Sequence, residues 1–143
     1  MVRTKPNTKL IPQAVLSKLQ AAAIKAAEQA YCPYSRFPVG AAVFTTDRKI
    51  FSGCNVENAS YGLTICAERN AIFNAVAFGS QKIAAVMIYT PTLNPSAPCG
   101  ACRQVINEFG PRAEIYSFCQ GKRVLHVSIT ELLKHPFGPQ SLL

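Results

Sequence analysis

The sequence contains no apolar run near the roughly 18 to 20 residues that a membrane-spanning helix needs, so no membrane partner is expected. Its start, Met1-Val2-Arg3-Thr4-Lys5-Pro6, lacks the apolar segment of a secretion signal, and a cytoplasmic location is expected. Acidic residues are scarce, seven against fifteen Lys and Arg, for a formal net charge of +8. That excess favours anionic partners in general. The basic residues are nevertheless spread from Arg3 to Lys134 with no dense run, which reads as a solvated surface rather than a nucleic-acid track. Internal repeats and low-complexity tracts are also missing.

What is there is enough for one core. With 143 residues, 49% of them hydrophobic and 15% charged, the chain reads as a single domain over 1–143, residues 1–12 forming a flexible N-terminal segment. Six cysteines in a secreted mini-domain would suggest disulfides. Without an export signal they are expected as free thiols or metal ligands.

Val15, Leu19, Ala22 and Ala26 recur at helical spacing, which predicts an amphipathic helix running to about Tyr31, stopped by Pro33. Val39 to Phe44 and Ile50 to Val56 read as an antiparallel hairpin about a polar turn. A helix follows over Cys66 to Phe78, with Gly79 just past its end. Ile83 to Tyr89 is almost wholly apolar, as in a strand buried on both faces. Prolines 91, 95 and 98 mark a loop, then a helix over Gly100 to Phe109 and strands at Glu114 to Phe118 and Val124 to Val127. Ser128 and Glu131 have the spacing of a capping box and start a last helix ended by Pro136. Strands alternating with helices after a hairpin give an α/β class with a mixed sheet layered by helices.

Pro98-Cys99-Gly100-Ala101-Cys102 puts two thiols at a helix start, where the helix dipole and free N–H groups favour thiolates. A lone C-x-x-C is equally a redox pair, half of a zinc site or coincidence. Cys66-Ala67-Glu68 adds a third thiol at another helix start, with a carboxylate two residues on. Three protein ligands leave the fourth tetrahedral position of a zinc ion for water, the arrangement of a catalytic site. Glu68 can then move protons as general acid and base. Standing alone it would be a helix-start carboxylate favoured by the dipole. Cys32, Cys54 and Cys119 lack a partner spacing and read as small buried hydrophobes. His126 and His135 read as structural rather than as a fourth ligand.

Asn55 and Glu57, two apart on a predicted strand, share a face and together suit a sugar diol; the plain alternative is an exposed polar end of an edge strand. Four motifs in order, Tyr34-Ser35-Arg36-Phe37-Pro38-Val39-Gly40-Ala41-Ala42, Gly53-Cys54-Asn55-Val56-Glu57-Asn58-Ala59-Ser60-Tyr61, Cys66-Ala67-Glu68-Arg69 and Pro98-Cys99-Gly100-Ala101-Cys102-Arg103-Gln104, closely resemble the small homotetrameric zinc-dependent cytidine deaminases. The resemblance spans about Leu16 to Phe137.

It implies a three-layer α/β/α sandwich on a mixed five-stranded sheet. It also implies one Zn2+ per subunit on Cys66, Cys99 and Cys102, Glu68 as proton shuttle, and deamination of cytidine and deoxycytidine in pyrimidine salvage. Asn55 and Glu57 would hold the ribose hydroxyls, Phe37 would lie near the pyrimidine, and the backbone at Ala67 and Cys99 would read the base edge. Arg69 would hydrogen-bond zinc-bound sulfur and offset the charge of three thiolates, a task Arg103 could assist if it does not join a surface ion pair. Phe137 would cross into a neighbour's active site in the homotetramer, with Tyr61 also contributing across an interface.

Three other readings compete. A polynucleotide editor is invited by the +8 charge but opposed by a carboxylate at Glu57, which would repel an attached phosphate. A zinc-stabilised interaction protein would normally carry four ligands. A relative acting on a nucleoside antibiotic such as blasticidin S would share the zinc motifs, although Asn55, Glu57 and the Phe137 tail lean toward ordinary nucleosides.

Overall fold

Small residues decide how closely the layers approach. A computed structural model describes residues 11–143, and of the expected flexible segment 1–12 all but the last two residues lie outside that range. Strand β1 (Gly40–Thr45) carries Ala41, Ala42 and Val43, all without exposure. It pairs antiparallel with β2 (Ile50–Cys54) on one side and with β3 (Ile83–Thr90) on the other. β3 runs parallel to β4 (Glu114–Cys119), which pairs antiparallel with β5 (Val124–Ser128), giving the order β2-β1-β3-β4-β5. The sheet is mixed and five-stranded, as expected.

Alternation along the strands splits the core in two. On one face Leu19 and Ala23 of α1 (Gln13–Ala27) pack against Ala42, Ala85, Met87, Tyr116 and Phe118. On the other, Ala71, Ile72 and Ala75 of α2 (Ala67–Ala77) and Ile106 of α3 (Gly100–Phe109) meet Ala41, Val43, Val86, Ile88 and Ile115. The result is three layers. A Cβ on Gly40 would stand 1.9 Å from the Ala23 carbonyl oxygen, so only glycine lets α1 lie this close to β1.

α2 is also tied to the sheet edge by polar groups. Asn70 Nδ2 donates to the Cys54 carbonyl at 2.8 Å and Asn74 Nδ2 to the Ser52 carbonyl at 3.2 Å. These bonds orient the N-terminal end of α2, where the site begins. Past its C-terminal end Gly79 takes φ +88°, the left-handed conformation that terminates helices.

Three elements end earlier than the sequence reading placed them. The first helix ends at Ala27, not near Tyr31, because Tyr31 is drawn into β pairing: its N–H donates to the Asn55 carbonyl at 3.0 Å and its carbonyl accepts from Glu57 N–H at 2.8 Å. Long-range partners outcompete the last helical turn. The second hairpin strand ends at Cys54, since Val56 leaves β1 to bridge Tyr31 and Ile65. The last helix, α4 (Ile129–Leu132), is a single turn that stops at Leu132 rather than running on to Pro136, with the Glu131 carboxylate accepting from the Ser128 N–H at 2.8 Å. Among the described residues no helix is long and apolar enough to cross a membrane.

Candidate active site and metal centre

Two neighbouring helices begin at one point. Cys66 is the residue before α2 and Cys99 the residue before α3, both in extended conformation, and Cys102 is buried in the first turn of α3. Pro98, fully buried, fixes the approach to α3. The three sulfurs all lie within 4.8 Å of one another, with Cys66 Sγ and Cys99 Sγ 3.8 Å apart. Tetrahedral zinc–sulfur bonds of about 2.3 Å require sulfurs about 3.8 Å apart, so the donor set fits zinc.

The local field favours anionic sulfur at Cys66. Hydrogen bonds from Cys102 foremost, and from Arg69, hold the Cys66 thiol well below its ordinary value, while the same Cys66–Cys102 bond and burial push the Cys102 thiol up. Arg69 Nη2 lies 3.5 Å from Cys66 Sγ. Its Nε is buried without a hydrogen-bond partner among the described residues. The positive ends of α2 and α3 act in the same direction.

Glu68, one position past the fully buried Ala67, is only 5% exposed. Burial pushes its carboxyl up to about 7, and the charge at Cys66 adds to this. A carboxyl poised near neutrality beside a thiolate cluster can both accept and deliver protons.

A second part of the site lies where β2 leaves the sheet. A cavity of about 250 Å³ is lined by Tyr34, Ser35, Glu57, Tyr61 and Thr64. The Glu57 carboxylate accepts the Tyr34 N–H at 2.9 Å, the Ser35 N–H at 3.2 Å and the Ser35 hydroxyl. These donors, the hydroxyl foremost, hold it below the ordinary 4.5. Asn55 does not stand beside it in the cavity. The strand has ended, and the Asn55 amide is turned inward, accepting from Val39 N–H and donating to the Phe37 carbonyl, both at 2.8 Å. One amide N–H is left over. Phe37 itself is 40% exposed.

Comparison with known proteins bears on this arrangement. Residues 14–118 match the family described as the cytidine and deoxycytidylate deaminase zinc-binding region. The chain belongs to the cytidine deaminase family. A cytidine deaminase from Halalkalibacterium halodurans is 43% identical over 121 residues, 84% of this chain and 92% of that protein. A probable cytidine deaminase from Dictyostelium discoideum is 48% identical over 132 residues, 92% of this chain and 89% of that one. The crystal structure of a cytidine deaminase from Burkholderia pseudomallei matches with a TM-score of 0.81 and 47% identity, covering 89% of this chain and 100% of that chain.

Membership in the cytidine deaminase family makes zinc the cofactor, and the matched span holds Cys66, Glu68, Cys99 and Cys102. The C-terminal end lies beyond it. There Phe137 is 61% exposed, and its carbonyl accepts from Gln104 Nε2 at 2.8 Å. Tyr61, 74% exposed, packs at a tilt against Tyr34 with ring centres 5.6 Å apart.

Among the described residues Arg103 neither reaches a thiol nor forms a surface ion pair. Its Nε donates to the Pro98 carbonyl at 2.8 Å and its Nη1 to the Leu132 carbonyl at 3.1 Å, tying the cysteine loop to α4. His126 bonds Glu114 at 2.7 Å and stacks on Tyr116, as befits a structural role. Cys119 is buried as expected, whereas Cys32 and Cys54 are only partly buried.

The sequence reading did not single out Tyr34, Ser35 and Thr64 as site residues. For Tyr34 and Ser35 the signal was their place at the head of the first motif, but the partner that gives it meaning, Glu57, is more than twenty positions away; Thr64 carried no signal in the sequence.

Proposed function

We propose that the protein is a hydrolytic deaminase of free cytidine and deoxycytidine, converting them with water to uridine or deoxyuridine and ammonia. The observation that carries this reading is the cluster of three thiol sulfurs within 4.8 Å beside the buried Glu68 carboxyl. Cys66, Cys99 and Cys102 hold the zinc. Bound there, zinc supplies Lewis acidity and lowers the pKa of a water molecule toward neutrality. Glu68 takes the proton of the attacking water and hands it to N3 of the ring as the oxygen adds at C4. It then moves a proton to the departing amine, which leaves as ammonia, and the ring carbonyl forms.

The remaining residues bind and orient. Arg69, on Cys66 sulfur, offsets the surplus negative charge of three thiolates. The Glu57 carboxylate and the spare Asn55 N–H meet the ribose hydroxyls, Phe37 covers the pyrimidine, and the backbone at Ala67 and Cys99 reads the base edge. Glu57 in the cavity disfavours a phosphate attached to the sugar, which argues for a free nucleoside over nucleic acid despite the +8 charge.

The chain acts as a single domain in pyrimidine salvage, in the cytoplasm, as a homotetramer. Exposed Tyr61 and Phe137 support the assembly, since large aromatics that protrude from one subunit gain by burial in another. In the tetramer both contribute to a neighbour's site. Loss of cytidine absorbance in the ultraviolet, abolished by a chelator and restored by zinc, tests the reaction. No change in absorbance with the zinc-loaded protein would refute it. A sedimentation mass other than four chains would refute the assembly.

A further inference from the structure

Ser35 occupies an unusual node beside the cavity. Its hydroxyl donates to Glu57 Oε1, and the same oxygen accepts the Phe37 N–H at 3.1 Å. Its own N–H joins that of Tyr34 on Glu57 Oε2. Between Ser35 and Phe37, Arg36 takes φ +56°, a left-handed conformation disfavoured for a residue with a side chain, and its N–H reaches back to the Cys32 carbonyl at 3.0 Å. A conformation of this kind persists where the surroundings over-determine it. Here the flanking bonds are those of Tyr34 and Ser35 to Glu57, of Arg36 N–H to the Cys32 carbonyl and of Phe37 N–H to the Ser35 hydroxyl.

Counting lone pairs shows what is left for a ligand. Oε2 already accepts two N–H groups, which uses its two in-plane positions. Oε1 accepts one hydroxyl and, among the described residues, keeps one position free. Glu57 can therefore take a substrate hydroxyl in one direction only, and the Ser35 hydroxyl decides which.

We propose that Ser35 is a positioning residue for sugar recognition, its single hydroxyl locking the Glu57 carboxylate and the Phe37 turn into one rigid unit. The grip on the sugar and the wall against the base are then set by the same oxygen atom. This rests on the reading above in which Glu57 meets the ribose hydroxyls and Phe37 the pyrimidine. Without the hydroxyl, Glu57 remains held by two N–H groups on Oε2 and keeps its charge, but Oε1 is no longer aimed and Phe37 N–H loses its acceptor.

The test compares wild type, Ser35→Ala and Ser35→Thr on cytidine and on 2′,3′-dideoxycytidine, which lacks the sugar hydroxyls that Glu57 would bind. Ser35→Ala raises KM for cytidine about tenfold, the size of effect one charge-assisted hydrogen bond supports, while kcat falls far less. For the dideoxy substrate the KM increase is much smaller. Ser35→Thr, which keeps the hydroxyl, restores most of the cytidine KM. Equal KM increases for both substrates, or an unchanged KM for cytidine, overturn the proposal.

A second readout does not depend on turnover. Carbon-13 NMR of the Glu57 carboxyl should give a wild-type titration midpoint below the ordinary 4.5, in the direction the Ser35 and Tyr34 donors impose, that moves up in Ser35→Ala and returns in Ser35→Thr. A wild-type protein that deaminates no nucleoside overturns the proposed function. Normal deamination with an unmoved Glu57 midpoint in Ser35→Ala overturns only the role of Ser35.

Discussion

Gly53 of β2 lies directly beneath Ala71 of α2: a Cβ at position 53 would stand 2.5 Å from the Ala71 amide nitrogen. The obstacle is backbone, so no side-chain rotation relieves it. Because Cys66 immediately precedes α2, this contact also bears on the height of one sulfur over the sheet.

Gly53→Ala accordingly lifts the helix. We expect a loss of about 2 to 3 kcal/mol in urea unfolding, the upper part of the range for overpacking, together with weaker zinc retention on dialysis. An unchanged unfolding midpoint would show that α2 is free to shift without cost.

Glu68→Gln keeps the size of the side chain and removes its proton chemistry. The variant should retain about one zinc per chain and lose at least about a hundredfold in kcat, the low end for a general acid-base group. Near-normal ammonia release would falsify the role assigned to Glu68.

Zinc binding must displace protons from thiols, since metal ligation takes thiolate. Titration calorimetry of the metal-free protein in two buffers of different ionisation enthalpy should therefore report proton release, and affinity should climb as pH rises from 6 to 8. A pH-independent affinity would contradict ligation by these cysteines. Cys102→Ser should bind zinc more weakly under all these conditions, because Cys102 is the buried member of the set.

At the far end of the chain the Glu131 carboxyl is held below the ordinary 4.5 by the Ser128 N–H and, to a lesser degree, the Ser128 hydroxyl. A carboxyl with a lowered folded pKa stabilises the fold fully above its unfolded value and loses that effect as pH falls through the folded value. The difference in melting temperature between wild type and Glu131→Gln should thus be present at pH 7 and shrink below pH 4.5. A difference that grows on acidification would reverse the sign of the argument.

Much of the scaffold was legible residue by residue. The α3 helix runs over Gly100–Phe109 as its flanking Cys99 and Gly110 suggest, and β3 is the nearly continuous apolar run at its expected place. Where the reading slipped, at Tyr31 and Val56, the chain left its local preference for a pairing partner about 25 positions away. Arg103 shows the same limit. A surface ion pair was expected of it, and its actual acceptors are the carbonyls of Pro98 and Leu132.

The amino-acid sequence by itself determined the helix starts at Cys66 and Cys99, the acid at Glu68 and the α/β alternation, because capping and periodicity depend on residues a few positions apart. Only the tertiary structure decided that Cys66 and Cys99, 33 positions apart, stand 3.8 Å from one another. It also decided that Asn55 turns inward to hold the Phe37 loop while Glu57 faces the cavity in the grasp of Ser35. Those relations follow from where the sheet ends and how closely glycine lets helices approach it, which no short window of residues encodes.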